Sequence, residues 1–394
     1  MPDFKYLIVG GGMTADAAVN GIRDIDRKGS IGVISAEGNP PYNRPPLSKG
    51  LWKGDAPDSI WRGTDKHSVT LHLGRKAHSL DLSKKIVTDD QGSSYRFEKL
   101  LLATGASTRT LPSGGESIIY YRTLDDYRRL RALTEQSKRF AVIGGGFIGW
   151  EIAAALAMNG REVVMLFPEK AIGARMYPAE LAQFLNDYYR QKGVNVVAES
   201  EVASVETIGH ACLVKTRSHG DFPVDGVVAG LGVTPNVELA QAAGLKVDDG
   251  ILVDESLRSS HADIYAAGDV ANFFNPALER RLRVEHEDNA NTMGAAAGKS
   301  MAGKPEPYRH LPFFYSDLFD LGYEAVGDLD SHLETVVDWK ELNREGVVYY
   351  LRDGRVRGVL LWNIFGQVDA ARELIGAKGP FRSGDLKGRI PKSQ

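Results

Sequence analysis

Cysteine is nearly absent from this sequence of 394 residues. Cys212 is its only cysteine, so the chain can form neither an intrachain disulfide nor a Cys-x-x-Cys redox pair. Disulfide reductases and cysteine-based peroxidases are excluded, because both need reactive thiolates at the site of chemistry. Cys212 falls in a strand-like run, Val205–Val214, and we expect it to be a small buried hydrophobe. A single cysteine also fits a reducing compartment.

The sequence also lacks a large excess of one sign of charge and any long apolar run. The formal net charge is −3, which gives no support for nucleic acid or an anionic membrane as a partner. No apolar stretch reaches the length of about 18 residues that a membrane-spanning helix needs. The start of the chain has no signal-peptide pattern, and the histidines have no metal-ligand spacing. We expect a cytoplasmic protein without a membrane span or a metal site.

Glycine, in contrast, is abundant at 43 residues, and one glycine motif occurs twice. The apolar run Tyr6–Val9 leads into Gly10–Ala15, and later Phe140–Ile143 leads into Gly144–Gly149. Each copy opens a stretch of small residues typical of a helix, expected at 16–23 and 151–158, and a second apolar strand follows. The repeat predicts two βαβ units, each built to bind a dinucleotide.

The spacing within each copy gives every small residue a role. The first glycine allows a tight turn, the second lets a pyrophosphate approach the backbone, and the third small residue lets helix and strand pack closely. The helix then points its positive end at the phosphates. In chain order these residues are Gly10, Gly12 and Ala15 in the first copy, and Gly144, Gly146 and Gly149 in the second.

An acidic residue after the second strand of such a unit accepts hydrogen bonds from a ribose. Glu37 follows the strand expected at Ile31–Ser35, and Glu169 follows Glu162–Phe167 two positions later than usual. A turn carboxylate is the alternative role for Glu169. An arginine directly after the strand at Glu162–Phe167 would indicate a site for the 2′-phosphate of NADP. None is present there, although Arg175 is near, so the pattern favours NAD over NADP.

Two dinucleotide units in one chain usually serve two cofactors. A hydride that leaves a nicotinamide needs an acceptor, and a flavin is the common one. The apolar run Ile264–Ala267 ends in Gly268 and Asp269. Asp269 fits an acid that binds the ribityl chain of FAD, and as an isolated residue it also fits a capping aspartate. We therefore expect FAD and NADH as cofactors.

Six further segments carry a resemblance to a known family. The chain resembles the FAD-dependent pyridine nucleotide reductases of the oxygenase-coupled ferredoxin reductase type, and within them the apoptosis-inducing-factor-like proteins. The segments are Pro41–Lys49, Leu166–Lys170, Arg283–His286, Tyr315–Leu318, Gly322–Ala325 and Leu361–Phe365.

The resemblance implies an α/β fold with two Rossmann-like dinucleotide-binding domains, as in glutathione reductase, and a small C-terminal α+β domain. The expected boundaries are 1–111 with 240–311 for the FAD-binding domain, 112–239 for the NAD-binding domain and 312–378 for the C-terminal domain. The basic, glycine and proline residues of the remaining segment, 379–394, predict a flexible tail.

The resemblance also assigns site residues. It implies catalytic roles for Lys49, Glu151 and His286, with Lys49 paired to Glu151 near the reactive edge of the flavin. Taken alone, Lys49 and His286 would be surface residues and Trp362 a core side chain. On the FAD side the expected contacts are Arg44, Lys49, Ala77, Gly105 and Arg109. On the nicotinamide side they are Phe147, Glu169, Arg175, Gly232, Glu285, His286 and Glu324. Tyr315, which replaces the family's usual tryptophan, and Trp362 are expected as cofactor contacts without assignment to either side.

Three functions remain open from the sequence. The first is an apoptosis-inducing-factor-like NADH oxidoreductase that forms a long-lived charge-transfer complex, with quinones or oxygen as slow acceptors and an NADH-linked homodimer as a further expectation. The second is a ferredoxin or rubredoxin reductase, whose docking face could be the basic run Arg280–Arg283. The third is an NADH-sensing scaffold or assembly factor.

Overall fold

The chain forms two compact units in a computed structural model that describes residues 1–391. Unit 1 comprises Met1–Arg44, Pro57–Ser107 and Thr234–Pro312. Unit 2 comprises Pro45–Ala56, Thr108–Val233 and the chain from Phe313 onward.

The strands and helices are numbered in chain order. The strands are β1 (Asp3–Val9), β2 (Ile31–Ile34), β3 (Val69–His72), β4 (Ala77–Asp81), β5 (Ile86–Asp89), β6 (Ser94–Leu102), β7 (Ala106–Thr108), β8 (Ile118–Tyr120), β9 (Arg139–Ile143), β10 (Glu162–Leu166), β11 (Val194–Val197), β12 (Val202–Ile208), β13 (Ala211–Thr216), β14 (Asp221–Val224), β15 (Gly226–Ala229), β16 (Val233–Pro235), β17 (Ile251–Leu252), β18 (Ile264–Ala266), β19 (Ala271–Asn275), β20 (Arg280–Leu282), β21 (Phe313–Leu318), β22 (Leu321–Gly327), β23 (Glu334–Glu341), β24 (Glu345–Arg352) and β25 (Arg355–Trp362). The helices are α1 (Met13–Ile25), α2 (Leu124–Gln136), α3 (Phe147–Met158), α4 (Ala179–Gln191), α5 (Glu238–Ala242), α6 (Glu287–Met301), α7 (Val368–Gly376) and α8 (Ser383–Leu386).

A mixed sheet forms the core of unit 1, in the order β3-β2-β1-β6-β5-β4, with β18 also paired to β6. The strands β1, β2, β3, β6 and β18 run parallel, and β4 and β5 are antiparallel additions. Continuous apolar runs such as Tyr6–Val9 suit strands covered on both faces. Helices α1 and α6 pack so closely that a Cβ on Gly298 would lie only 2.1 Å from the carbonyl oxygen of Ala18.

Unit 2 contains the second βαβ unit. Its parallel sheet has the order β11-β10-β9-β15-β8, and β12-β13-β14 form a small antiparallel sheet. Both helices that follow the glycine motifs begin earlier than expected, α1 at Met13 and α3 at Phe147. The reason is that each second glycine is itself the N-cap. Cys212 lies on β13, and burial raises the pKa of its thiol.

The C-terminal part of unit 2 is an antiparallel sheet in the order β21-β22-β25-β24-β23, with α7 packed on β22 and β25. The expected fold class, two dinucleotide-binding α/β parts and a small α+β part, is therefore confirmed.

The Pro-rich segment 39–48 ends in a 3-10 helix at Pro45–Ser48, where the proline rings fix φ near the helical value. One local expectation needs correction. The expected flexible tail from 379 instead carries α8, and Leu386 and Ile390 are buried. The last three positions of that tail, 392–394, lie outside the described residues. The domain boundaries stay a prediction, and the contact division assigns Pro45–Ala56 to unit 2.

Candidate active site

The first glycine turn has the shape that a pyrophosphate needs. Gly10 has φ +123°, and a Cβ there would lie 2.0 Å from the carbonyl oxygen of Ala103, so only glycine fits. A Cβ on Gly12, the N-cap of α1, would meet no atom of the described chain within 4 Å. The space beside the N-terminus of α1 is thus open to a ligand.

The second turn repeats this geometry in unit 2. Gly144 has φ +120°, and its Cβ would lie 2.2 Å from the carbonyl oxygen of Gly230. A Cβ on Gly146 would again meet nothing within 4 Å among residues 1–391. Gly149 permits the close packing of α3, because a Cβ there would lie 1.9 Å from the carbonyl oxygen of Gly144. Within the described chain neither α1 nor α3 has a side-chain cap, so both N-termini suit a bound anion.

The predicted ribose acid of unit 1 lies in an organised cluster. The Tyr42 hydroxyl donates to Glu37 Oε2 over 2.6 Å, and the Arg44 guanidinium donates to Glu37 Oε1. Burial alone would lower the pKa of Arg44, but Tyr42, Glu37 and Asp269 raise it above its usual value. Glu37, Arg44 and Asp269 therefore form one charged group at the carboxyl ends of β2 and β18.

The predicted ribose acid of unit 2 also has an arginine partner. Arg175 and Glu169 form an ion pair of 2.6 Å between Nη2 and Oε1, with Arg175 81% and Glu169 23% exposed. The backbone of Glu169 is fixed, since its carbonyl accepts from the Glu199 amide. The carboxylate follows β10 and is accessible to a ribose.

The segment that carries Lys49 is anchored from both sides. Lys49 lies between two 3-10 helices, Pro45–Ser48 and Gly50–Trp52. The carbonyl of Leu47 accepts hydrogen bonds from the indole of Trp52, over 2.8 Å, and from the hydroxyl of Tyr121. Burial raises the pKa of Tyr121, so this hydroxyl stays a neutral donor. These two hydrogen bonds fix the carbonyl of Leu47, two residues before Lys49.

Lys49 and Glu151 form a buried ion pair, as predicted by resemblance. Lys49 Nζ lies 2.6 Å from Glu151 Oε1, with the side chains 14% and 4% exposed. Glu151 Oε1 also accepts from Ser316 Oγ over 2.5 Å, and Oε2 accepts from Ser48 Oγ over 2.5 Å. A buried carboxylate needs such partners, because charge is costly to remove from water.

The remaining predicted residues divide between the two units. Tyr315 joins the Lys49 pair, with Lys49 Nζ 5.3 Å from the centre of its ring. Phe147 begins α3 and contacts Phe314 at 5.6 Å between ring centres. In unit 2, the Arg109 amide donates to the Gly232 carbonyl, and Glu324 accepts from the Gly366 amide. Trp362 is fully buried and stacked on Tyr323.

The other predicted residues lie in unit 1. Ala77 begins β4, and Gly105 follows β6 with φ +66°. Glu285 pairs with Arg283, and His286 is the N-cap of α6. The roles of all these residues stay predictions.

Sequence reasoning missed several polar side chains around the predicted site. Ser48, Ser316 and Trp150 complete the surroundings of Glu151, and the indole of Trp150 donates to Ser316 Oγ over 2.8 Å. In unit 1, the carboxylate of Asp16 on α1 is buried and accepts from Arg62 over 2.7 Å. An aspartate on the apolar side of a dinucleotide-binding helix was the available signal for the latter pair.

Residues 1–391 contain neither a group of metal ligands nor a helix that could span a membrane. No group of three or more His, Cys, Asp or Glu side chains there could hold a metal ion. No helix in the same residues is both long and apolar enough to cross a membrane.

Comparison with known proteins agrees with this arrangement. Residues 4–294 match the family described as pyridine nucleotide-disulphide oxidoreductase, and residues 297–345 and 337–377 match the C-terminal domain of mitochondrion-associated apoptosis-inducing factor. The chain is 35% identical to the ferredoxin–NAD(+) reductase component of an anthranilate 1,2-dioxygenase system from Burkholderia cepacia, over 94% of each chain. It is 32% identical to mitochondrial apoptosis-inducing factor 1 of Dictyostelium discoideum, over 94% of this chain and 78% of that protein.

A solved structure with the same fold is the covalent complex of putidaredoxin reductase and putidaredoxin, with a TM-score of 0.88 and 28% identity over 95% of this chain and 94% of that one. The family name refers to disulfides, which a chain with one cysteine cannot form internally. The open glycine turns and the paired acids fit FAD and NADH. The chain belongs to the pyridine nucleotide-disulphide oxidoreductase family and is an FAD-dependent NADH oxidoreductase.

Proposed function

We propose that the Lys49–Glu151 pair lies at the reacting edge of the flavin and promotes hydride transfer from NADH to FAD. The observation that carries this proposal is the buried ion pair itself, at 2.6 Å and mostly shielded from water. FAD supplies the electron-accepting ring. Lys49 supplies a fixed positive charge that stabilises negative charge gained by that ring, and a charge held in a dry site acts more strongly than one in water.

The test is the rate of flavin reduction in stopped-flow mixing of Lys49→Met with NADH. Loss of a positioned charge is expected to slow reduction by about tenfold or more, while FAD content stays that of the unmodified protein. Lys53→Met is the matched control, because Lys53 lies in the same segment but is 43% exposed and pairs with Asp317. Equal rates in Lys49→Met and the unmodified protein would refute the role of Lys49.

For the electron acceptor we favour a small iron–sulfur protein of the ferredoxin type. A relative of matching length is named as a ferredoxin–NAD(+) reductase component, and a solved structure of the same fold holds a putidaredoxin partner. The basic run Arg280–Arg283 is a poor docking face. Arg281 donates to the carbonyls of Val253 and Asn272, and Arg283 is paired with Asp249 and Glu285. The guanidinium of Arg281 is therefore held against the backbone, and the charge of Arg283 is compensated locally.

A second candidate is slow, apoptosis-inducing-factor-like oxidation of NADH, which the matched C-terminal domain favours. Mixing with NADH in air separates the two. Rapid reoxidation only after addition of a [2Fe–2S] ferredoxin supports the first. A persistent absorbance band beyond the flavin peaks, with quinones or oxygen as slow acceptors, supports the second. Neither turnover nor such a band would favour an NADH-sensing scaffold.

A homodimer that forms with NADH and a cytoplasmic location are also part of this proposal. The single cysteine supports a reducing compartment. Light scattering of the purified protein with and without NADH tests the dimer, and an unchanged monomer mass in both conditions would contradict it. Fractionation of cells tests the location.

A further inference from the structure

The two hydrogen-bond partners of the Ser316 hydroxyl determine which of them receives its hydrogen. The indole nitrogen of Trp150 lies 2.8 Å from Ser316 Oγ, and Ser316 Oγ lies 2.5 Å from Glu151 Oε1. An indole N–H can only donate, so Ser316 must accept from Trp150. Its own hydrogen is then directed at Glu151, which as a carboxylate only accepts.

This chain of donors acts on the same oxygen that binds Lys49. Glu151 Oε1 accepts from both Lys49 Nζ and Ser316 Oγ, and Oε2 accepts from Ser48 Oγ. The carboxylate is therefore fixed at both oxygens. Trp150 is fully buried and Ser316 is 1% exposed, so bulk water has little access to replace a lost donor.

The fold explains why Ser316 meets α3. Side chains alternate along a strand, and on β21 both Phe314 and Ser316 face α3. Phe314 contacts Phe147 in the first turn of that helix, and Ser316 contacts Trp150 and Glu151 one turn later. The C-terminal sheet thus holds the helix that carries Glu151.

We propose that Ser316, oriented by Trp150, is a positioning residue that holds Glu151 and through it the ammonium group of Lys49. The inference rests on the proposed function for its effect on the rate, but the position of Lys49 can be tested without it. In Ser316→Ala the carboxylate loses one donor and can rotate. Lys49 then loses its defined place.

The experiment combines a crystal structure of FAD-loaded Ser316→Ala with stopped-flow reduction by NADH. The expected result is a Lys49 Nζ to Glu151 Oε1 separation longer than 2.6 Å, with reduction slowed about tenfold, the effect of losing one hydrogen bond to a charged group. The apparent Kd for NADH stays within twofold. Ser316→Thr, which keeps the hydroxyl, restores both distance and rate, and Trp150→Phe changes both in the direction of Ser316→Ala but less.

Controls separate this inference from the proposed function. Ser300→Ala removes a buried serine hydroxyl that has no partner among residues 1–391, and its rate should be unchanged. If Ser316 acts through Lys49, Ser316→Ala adds no further loss in the Lys49→Met background. An unmoved Lys49 in Ser316→Ala, or additive losses in the double variant, would overturn the positioning role. A normal rate in Lys49→Met overturns only the proposed function of Lys49.

Discussion

Replacement of Glu169 by glutamine should change the coenzyme preference. Glu169 is 23% exposed and pairs with Arg175 at 2.6 Å. Glutamine keeps the size and an acceptor oxygen but removes the charge, so NADH can still be bound through its ribose hydroxyls. NADPH carries a 2′-phosphate at that ribose, and a carboxylate there repels it.

The size of the effect follows from Coulomb's law. Two unit charges about 5 Å apart interact by about 1 kcal/mol in water and about 3 kcal/mol at the effective dielectric constant near a protein surface. Loss of that repulsion corresponds to about 5- to 150-fold in the preference for NADH over NADPH. Arg175, released from Glu169, then becomes available to the 2′-phosphate and adds to the change.

The assay is the ratio of kcat/KM for NADPH to kcat/KM for NADH, measured with an artificial acceptor at low and high salt. We expect the ratio to rise at least about fivefold in Glu169→Gln. The rise should shrink in 0.5 M salt, because screening weakens surface charges. Arg175→Ala in that background should remove part of the gain. Glu162→Gln is the matched control, since Glu162 is exposed at the other end of β10. A ratio that moves less than threefold, or equally in the control, refutes Glu169 as the ribose acid.

Two further predictions concern unit 1. Gly12→Ala should fold but retain little FAD, because its Cβ meets no described protein atom within 4 Å and projects into the predicted pyrophosphate space. Gly10→Ala should instead impair folding, because its Cβ would lie 2.0 Å from the carbonyl oxygen of Ala103. FAD absorbance and thermal unfolding distinguish the two variants, and a yellow, stable Gly12→Ala would contradict the assignment. Hydrogen bonds from Lys85 and Lys99 lower the pKa of Asp263 to about 2, so its contribution is present above pH 4 and disappears as the pH falls toward 2. Asp263→Asn should cost about 1–2 kcal/mol at pH 7, after allowance for partly exposed lysines, and the gap in urea midpoints should narrow at pH 3.5; a gap independent of pH would refute the pairing.

Local sequence was sufficient for the glycine turns. The conformation of Gly10 or Gly144 is set by its immediate neighbours and by the strand beside it, so a short motif predicts it. The positions of the acids after the second strands follow from the same local pattern, whereas their role as ribose ligands stays a prediction. The beginnings of α1 and α3 were placed three to four residues late, because helix ends are set by cap geometry rather than by composition.

The surroundings of Lys49 were beyond local sequence. Glu151 lies far along the chain from Lys49, and only the resemblance paired them. Ser316 is one of many serines, and nothing in its neighbours shows that its hydroxyl is buried against a carboxylate. The tail was expected to be flexible from its glycine, proline and basic residues, yet Leu386 and Ile390 are buried. Helix α8 contacts β23 of the C-terminal sheet, and a tertiary contact of this kind has no local sequence signal.

The two predicted ribose acids differ in how firmly their arginine partners are held. Arg44 is mostly buried, lies 5.2 Å from the centre of the Tyr42 ring, and shares Glu37 with the Tyr42 hydroxyl. Arg175, in contrast, is 81% exposed and gives up more side-chain freedom when it is ordered by a ligand. A preorganised site loses less entropy on binding and holds its ligand more tightly. We therefore infer that the cluster in unit 1 suits a resident FAD, whereas the looser pair in unit 2 suits NADH, which must bind and leave in every cycle.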